Sequence, residues 1–327
     1  MAPARAALVR WSGRGSVHRL RRGIIAVLKE ERMEAEVRIL GRSVAVAGPE
    51  PVAVADLFSN MPGVSWVAVG YSASGNKELL GAAKKLASAV LRPGKRFSVA
   101  AERIGNGISS DLTGSILSAM LDAGGGARVG EAGPDFRFRA ALDGGHGVVG
   151  LEVREGPGGS STGKEVAACL VSGGKHSAVV AWMALLAGFK VRMVHAKEDE
   201  ETLLGVAGLY SELSHRVEPG ALGLEVVEGR GAERALAKFE RKGRVFAGFH
   251  VGLSRPSWAA AVEAPLFLLP EEKVALEAEA LGFRPVERNA QWRRGGEGRV
   301  RTLRFAKPRA SVSDVLDGLG PRPLRWS

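Results

Sequence analysis

The sequence predicts an α/β protein of two or three domains, and three observations carry that prediction. The first seventy-five residues read as strand, helix, strand, strand, helix, strand. From residue 165 onward, short apolar strands alternate with helices, the pattern of a doubly wound parallel sheet. Between them lies Glu155–Gly163, too rich in Gly, Pro and Ser for either element and read as a linker. With 327 residues, 45% of them hydrophobic, the chain can fill several cores.

The first unit opens with a strand over Ala6–Arg10 and a turn at Trp11-Ser12-Gly13-Arg14-Gly15. A helix over Val17–Glu31 follows, because Val17, Leu20, Ile24, Val27 and Leu28 recur at helical spacing and leave a basic opposite face. Arg14, His18, Arg19, Arg21 and Arg22 crowd its start. Glu34–Leu40 and Ser43–Ala47 alternate as strands across Gly41-Arg42. Val52–Ser59 is a short helix and Val64–Tyr71 a strand. That order is ferredoxin-like and is assigned to residues 1–75.

A second unit, 76–154, begins with an amphipathic helix over Glu78–Leu91 that carries Lys84 and Lys85. Pro93-Gly94-Lys95 turns the chain into a strand over Arg96–Ala101. A helix over Ser110–Leu121 is expected to take its N-cap from Ser109 or Ser110. Phe136–Leu142 and Gly147–Val153 are strands. Residues 155–164 are the expected linker, 165–283 a third unit and 284–327 a basic tail. In the third unit, Val166–Val171 is a buried strand, Ala178–Ala187 a helix stopped by Gly188, and Val191–Val194 a second strand, a βαβ unit. Lys197–Glu201 is an acidic loop before a helix reaching Leu213. Leu224–Val227, Arg244–Phe249 and Pro265–Leu269 are further strands. Ala232–Glu240, Ser257–Glu263 and Glu271–Leu281 are helices.

Charge narrows the partners. Net charge is +11 and the pI about 10.1. Residues 1–100 hold sixteen basic and seven acidic side chains, and residues 284–325 eleven and four, so positive charge sits at both ends. An asymmetric basic surface points to nucleic acid first and an anionic membrane second. No segment is long and apolar enough to span a membrane. The one cysteine, Cys169, rules out an internal disulfide or a zinc cluster, and a cytoplasmic protein is expected. Cys169 falls in a predicted buried strand, where a thiol serves packing.

The chemistry would sit at Ser172-Gly173-Gly174-Lys175-His176-Ser177, between strand and helix. Two glycines allow close backbone approach, two serines add hydroxyls, and the helix N-terminus offers N–H groups and partial positive charge. Together these suit a phosphate or pyrophosphate. The spacing is not that of a Walker A loop. Glycine pairs and serines also occur in such turns for steric reasons alone.

In this order the motifs resemble the tRNA 4-thiouridine synthetase (tRNA sulfurtransferase) family. Gly13-Arg14-Gly15 through Arg19 resembles its basic turn. Phe97-Ser98-Val99 with Arg103, and Gly133-Pro134-Asp135 before Phe136, resemble its THUMP domain. Gly156-Pro157-Gly158-Gly159 followed by Gly163 resembles its linker. Leu170-Val171-Ser172-Gly173-Gly174 through Ser177 resembles its PP-loop, and Gly248 its later nucleotide-contacting glycine. The resemblance implies a ferredoxin-like domain, a THUMP RNA-binding domain and a doubly wound PP-loop (adenine nucleotide alpha hydrolase-like) domain. It implies ATP with Mg2+ as nucleotide, tRNA as partner, a homodimer, and thiolation of an adenylated uridine. The ATP contacts it implies are Leu170, Val171, Ser172, Gly173, Gly174, Lys175, His176, Ser177, His195, Ala196, Gly248 and Ser257. The RNA contacts are Arg14, His18, Arg19, Arg22, Lys84, Lys95, Arg96 and Arg103. The sequence departs from the family at three places. His176 stands where the family has aspartate, with Glu198 or Asp199 as replacement ligands. Ser257 stands where it has glutamine, and no cysteine follows the loop. Sulfur would then come from a separate carrier or free sulfide. The alternative is a non-catalytic RNA-binding paralogue with a degenerate PP-loop domain.

Overall fold

Strand β1 (Arg5–Trp11) pairs antiparallel with β3 (Ser43–Ala47) on one side and β4 (Val64–Ser74) on the other, with Leu8 opposite both Ala45 and Ala68. The structure, a computed structural model, describes residues 4–104, 111–130, 132–197, 200–228, 244–247, 262–263, 269–283 and 301–319. The chain separates into two units, Met1–Ser161 and Thr162–Ser327.

In the first unit, helix α1 (Val17–Glu30) runs from the turn after β1, and β2 (Glu36–Leu40) pairs with β3. Helix α2 (Pro51–Phe58) precedes β4, completing the expected β-α-β-β-α-β order. Then come α3 (Asn76–Val90), β5 (Arg96–Ile104), α4 (Leu112–Ala123), β6 (Arg128–Val129), β7 (Phe136–Asp143) and β8 (His146–Gly158). All the strands join one eight-stranded sheet, β2-β3-β1-β4-β8-β7-β5-β6, so the segments 1–75 and 76–154 share a sheet.

The helices cover one face of that sheet. On β4, Val67 and Val69 pack in the core that α1 and α2 contribute to, and Tyr71 and Ala73 in the core of α3 and α4. Alternate residues of a strand share a face, so all four helices lie on one side. The helix face of α1 buries Leu20, Ile24, Val27 and Leu28, as its spacing predicts. Phe97 and Phe138 meet edge to face with ring centres 5.9 Å apart, both fully buried.

The other face is also buried, at Ala6, Leu8, Leu40, Ala45, Ala68, Ala141 and Val148. The sheet closes over it by bending. A β-carbon on Gly41, between β2 and β3, would lie 2.6 Å from the Ile104 side chain at the end of β5. Arg10 of β1 is ion-paired with Glu102 of β5, although three strands separate them in the sheet. Four alanines on the concave face leave room for that bend.

The expected linker is not loose. Residues 155–158 extend β8, and the chain beyond them docks on the turn before α1. Ser12 Oγ donates to the Gly159 carbonyl, and the Ser16 amide donates to Ser161 Oγ at 3.0 Å. Ser161 Oγ donates in turn to the Ser16 carbonyl at 3.1 Å. A β-carbon on Gly15, already left-handed at φ +78°, would sit 2.6 Å from Ser161 Oγ. Backbone bonding of this kind satisfies a Gly-rich segment that has no side chains to bury.

The cap of α4 is Asp111, which accepts from the Gly114 amide at 2.8 Å, rather than the expected serines, which lie outside the described residues. Asp135 ties the start of β7 to β5. It accepts from the Arg96 amide at 2.8 Å and from Lys95 Nζ at 3.3 Å. The Arg96 amide first, and Lys95 second, hold its carboxyl below the ordinary carboxylate range. A carboxyl with a depressed folded pKa stabilises the fold above its unfolded pKa, and the contribution is lost as pH falls through the folded value. Asp135→Asn is therefore expected to lower urea resistance at pH 7, and the difference from wild type should vanish in acid, well below pH 4. A difference that persists there would place the effect elsewhere.

The second unit runs β9 (Val166–Leu170), α5 (Lys175–Leu186), β10 (Lys190–Lys197), α6 (Glu200–Ser214), β11 (Leu222–Glu228), β12 (Arg244–Ala247), β13 (Val262–Glu263), α7 (Glu271–Ala280), β14 (Arg301–Phe305) and α8 (Val312–Gly318). Among the described residues its sheet has six strands in the order β13-β12-β9-β10-β11-β14, with all pairs parallel except β11–β14. Helix α5 begins at Lys175, three residues before the expected Ala178. Val262–Glu263, expected at the end of a helix, pair with β12.

Part of the expected basic tail belongs to this unit. β14 pairs with β11, and Ala310, Val315 and Leu319 are buried in its core. Arg304 meets Glu225 at 3.5 Å, and the buried Tyr210 hydroxyl donates to the Lys307 carbonyl at 2.9 Å. The arginine count hid a short apolar pattern. Among the described residues, no helix is long and apolar enough to cross a membrane.

Candidate functional site

The strand order of the second sheet fixes where a ligand can enter. The chain moves from β9 to β10 and β11 in one direction, while β12 lies on the other side of β9. Order therefore reverses at β9, and ligands of such sheets bind in the crevice beyond the strand carboxyl ends at that point. The Ser172–Ser177 segment leaves the carboxyl end of β9 there.

Leu170 and Val171 are buried and anchor the loop through backbone, the Val171 amide donating to the Val194 carbonyl at 2.9 Å. Gly173 is left-handed at φ +83°, and a β-carbon there would lie 3.1 Å from the Thr202 carbonyl oxygen of α6. Only glycine takes that conformation without strain. Gly174 is the N-cap of α5, and Lys175, His176 and Ser177 form its first turn. The Ser177 amide donates to the Gly174 carbonyl at 3.1 Å, while the earlier amides of the turn precede the helix's own acceptors and carry the positive end of the helix dipole. Ser177 closes the loop from inside. Its Oγ accepts from the Ser172 amide at 2.9 Å and lies 3.1 Å from Ser172 Oγ.

His195 and Ala196 lie at the carboxyl end of β10, beside the loop. His195 is buried, with Nδ1 3.0 Å from the Val171 carbonyl. Lys175 and His176 turn to one carboxylate, Glu271 at the start of α7. Lys175 Nζ is 2.5 Å from its Oε1 and His176 Nε2 is 2.9 Å from its Oε2. Hydrogen bonding from Lys175, then from His176, holds the Glu271 carboxyl below its ordinary range. Cys169 is fully buried in β9, and burial pushes its thiol up, away from the reactive thiolate. Among the described residues no group of three His, Cys, Asp or Glu side chains could hold a metal ion. Gly248, Ser257, Glu198 and Asp199 lie outside the described residues.

The first unit carries the basic residues in two places. Arg14, His18 and Arg22 are exposed, and Arg19 half-buried, where α1 begins. No described carboxylate pairs with any of the four. Helix α1 has no acid in its first turn, so its N-terminal dipole adds to their charge. Exposed Arg42 stands against this turn, 5.8 Å over the Trp11 ring, with a nitrogen 2.7 Å from where a Gly13 β-carbon would lie. Arg42 is a further basic residue of this cluster, and its place in a two-residue turn is the only signal for it in the sequence. The end of β5 that carries Arg103 lies against Gly41, and so near the same turn. Lys95 and Arg96 are at the opposite end of β5, about 25 Å away by strand rise. They bond Asp135 and the Ala132 carbonyl, and Lys84 meets Asp122 at 3.4 Å. The candidates thus form one cluster around α1 and a separate, internally paired set.

No protein-family model matches the chain, and no curated protein matches it. Solved structures do. PH1313 from Pyrococcus horikoshii Ot3 superimposes with a TM-score of 0.69 at 18% identity, over 85% of this chain and 99% of its own. A 4-thiouridine synthetase, solved as an RNA complex with bound ATP, superimposes at 0.65 and 17% identity, over 86% of this chain and 85% of its own. The fold is 4-thiouridine synthetase-like. The sequence resemblance and the backbone thus agree over most of the chain, at an identity too low for general sequence similarity to carry it.

Proposed function

We propose that this protein holds tRNA on its N-terminal basic surface and the pyrophosphate of ATP in the Ser172–Ser177 loop, for thiolation of an adenylated uridine. The observation that carries the proposal is the left-handed Gly173 turn, which presents the N-terminus of α5 at the switch point of the sheet. Amides of Gly174, Lys175 and His176 would meet phosphate oxygens, while the Lys175 and His176 side chains offset their charge. His195 and Ala196 would flank the adenine. In this chemistry the uridine oxygen attacks the α-phosphorus and pyrophosphate leaves, and sulfide-level sulfur from the donor then displaces the adenylated oxygen, which departs as AMP.

Two roles fall outside the described side chains. Cys169 is buried, so sulfur comes from an external donor, a separate carrier or sulfide. The described residues do not fit a protein-held magnesium, since His176 takes the place of the family's carboxylate. Magnesium would then arrive with the triphosphate, unless Glu198 or Asp199, outside the described residues, supplies a ligand. On this proposal the protein works in the cytoplasm as a homodimer.

A second reading, tRNA binding without turnover, is favoured by Glu271, which already holds the Lys175 and His176 side chains. Titration calorimetry with ATP and magnesium, with and without bulk tRNA, separates the two. A β-carbon on Gly174 would lie 3.7 Å from Ser172 Oγ, so the indole of Gly174→Trp would fill the loop mouth. ATP binding that this variant abolishes, with pyrophosphate released when tRNA is added, is the expected result. No ATP binding beside salt-sensitive tRNA binding would establish the second reading instead.

A further inference from the structure

The Lys175 ammonium and the His176 ring occupy the first two positions of α5, where the helix dipole disfavours positive charge. Glu271 engages both, and it lies at the first position of α7, where the dipole favours an anion. Each of its carboxylate oxygens is met by one of the two side chains. An anion thus already occupies the charge that a phosphate ligand of this loop would use.

From this we infer that Glu271 is a specificity-determining residue of the anion cradle, an intramolecular competitor that a phosphate ligand must displace before Lys175 and His176 can neutralise it. The inference rests on the nucleotide reading proposed above. Two features make the carboxylate displaceable rather than fixed. Its side chain is 42% exposed, against 35% for Lys175 and 22% for His176, so it can rotate into solvent. An ion pair this exposed contributes little stability, so breaking it costs little. With one oxygen on Lys175 and the other on His176, Glu271 is not a carboxylate left open toward a metal ion, and so it does not stand in for the aspartate missing at position 176. Another singly charged anion can at best match Glu271, which is already in place, whereas a multiply charged phosphate can make both contacts and brings more charge to them. The competitor therefore favours ligands of the pyrophosphate class over weak anions.

The test measures pyrophosphate and ATP affinity by calorimetry at low salt for wild type, Glu271→Gln and Glu272→Gln. Glu272 is the exposed neighbour and controls for net charge alone. Glu271→Gln is expected to bind both ligands about tenfold tighter, the effect of releasing charge-assisted contacts, with Glu272→Gln unchanged. Thermal unfolding of both variants within a few degrees of wild type would show that the fold is retained. Binding in Glu271→Gln alone, with none in wild type, would also support the competitor. Wild-type binding that Glu271→Gln leaves equal or weaker would overturn it while leaving the nucleotide reading standing. Equal tightening in Glu272→Gln would reduce the effect to net charge and overturn it as well. Absence of binding in all three proteins would overturn the nucleotide reading and the competitor together.

Discussion

Replacing Arg14, Arg19 and Arg22 together with glutamate is expected to lower tRNA affinity by about a hundredfold or more at low salt. The expectation rests on where these side chains are. They surround the N-terminus of α1, have no described carboxylate partner, and stand with Arg42 beside a backbone held by glycines. Phosphate contacts made there release counterions, so log affinity falls linearly with log salt. Losing three such contacts should make that slope shallower by about two to three. Neutralising Lys84, Lys95 and Arg96 with glutamine should do much less, because Asp122, Asp135 and the Ala132 carbonyl already engage them. Filter binding or fluorescence anisotropy across a salt series reads both values. Unchanged affinity in the glutamate variant would move the RNA surface away from α1. A larger loss from the glutamine set would move it to the far end of β5.

The second large effect is on stability. Phe138→Ala is expected to cost about 3–5 kcal/mol, the usual range for removing a buried aromatic ring. Phe138 is fully buried and meets Phe97 edge to face. The core around it includes Ile116 and Met120 of α4 and Leu79 of α3, also fully buried. Truncation leaves a cavity between the sheet and two helices, with little slack to refill it. For a unit of this size the thermal midpoint should fall by roughly 6–20 °C. Phe138→Leu, which keeps most of the volume, should lose less than half as much. A midpoint shift below about 2 °C for the alanine variant would mean that this core relaxes around the gap.

Much of this architecture was legible because periodicity reports burial. The apolar spacing of α1 named four residues that the core buries, and the run Val166–Val171 marked a strand buried on both faces. What was missed follows from what periodicity does not encode. Two-residue β6 carries no pattern. The extension of β8 through a Gly-Pro-Gly sequence depends on partners across the sheet, with Gly158 opposite Val64. Helix α8 did have a local signal, the capping box of Ser311 and Asp314, but it was masked by the arginines around it.

At the candidate site the legible part was the backbone chemistry. The Gly-Gly turn and the helix behind it are local, so a strand, two glycines and a small-residue helix sufficed to place them. Glu271 is 95 residues from His176 and reaches it only through packing of α7 on α5. No local rule pairs residues so far apart, and the functional reading of the histidine at position 176 changes once its partner is known. The bending of the first sheet, which brings Arg103 near the α1 turn, is likewise a property of the whole sheet and not of any one strand.

The docking of Gly159–Ser161 on the turn before α1 decides where this chain can be cut. A fragment ending at Arg154 would strip the last residues of β8, the acceptor of the Ser12 hydroxyl and the Ser161 hydroxyl that bonds the Ser16 backbone, leaving the basic turn without its backing. One ending at Ser161 keeps them. The same contacts should shield Gly158–Ser161 from proteases, although its composition advertises an accessible hinge.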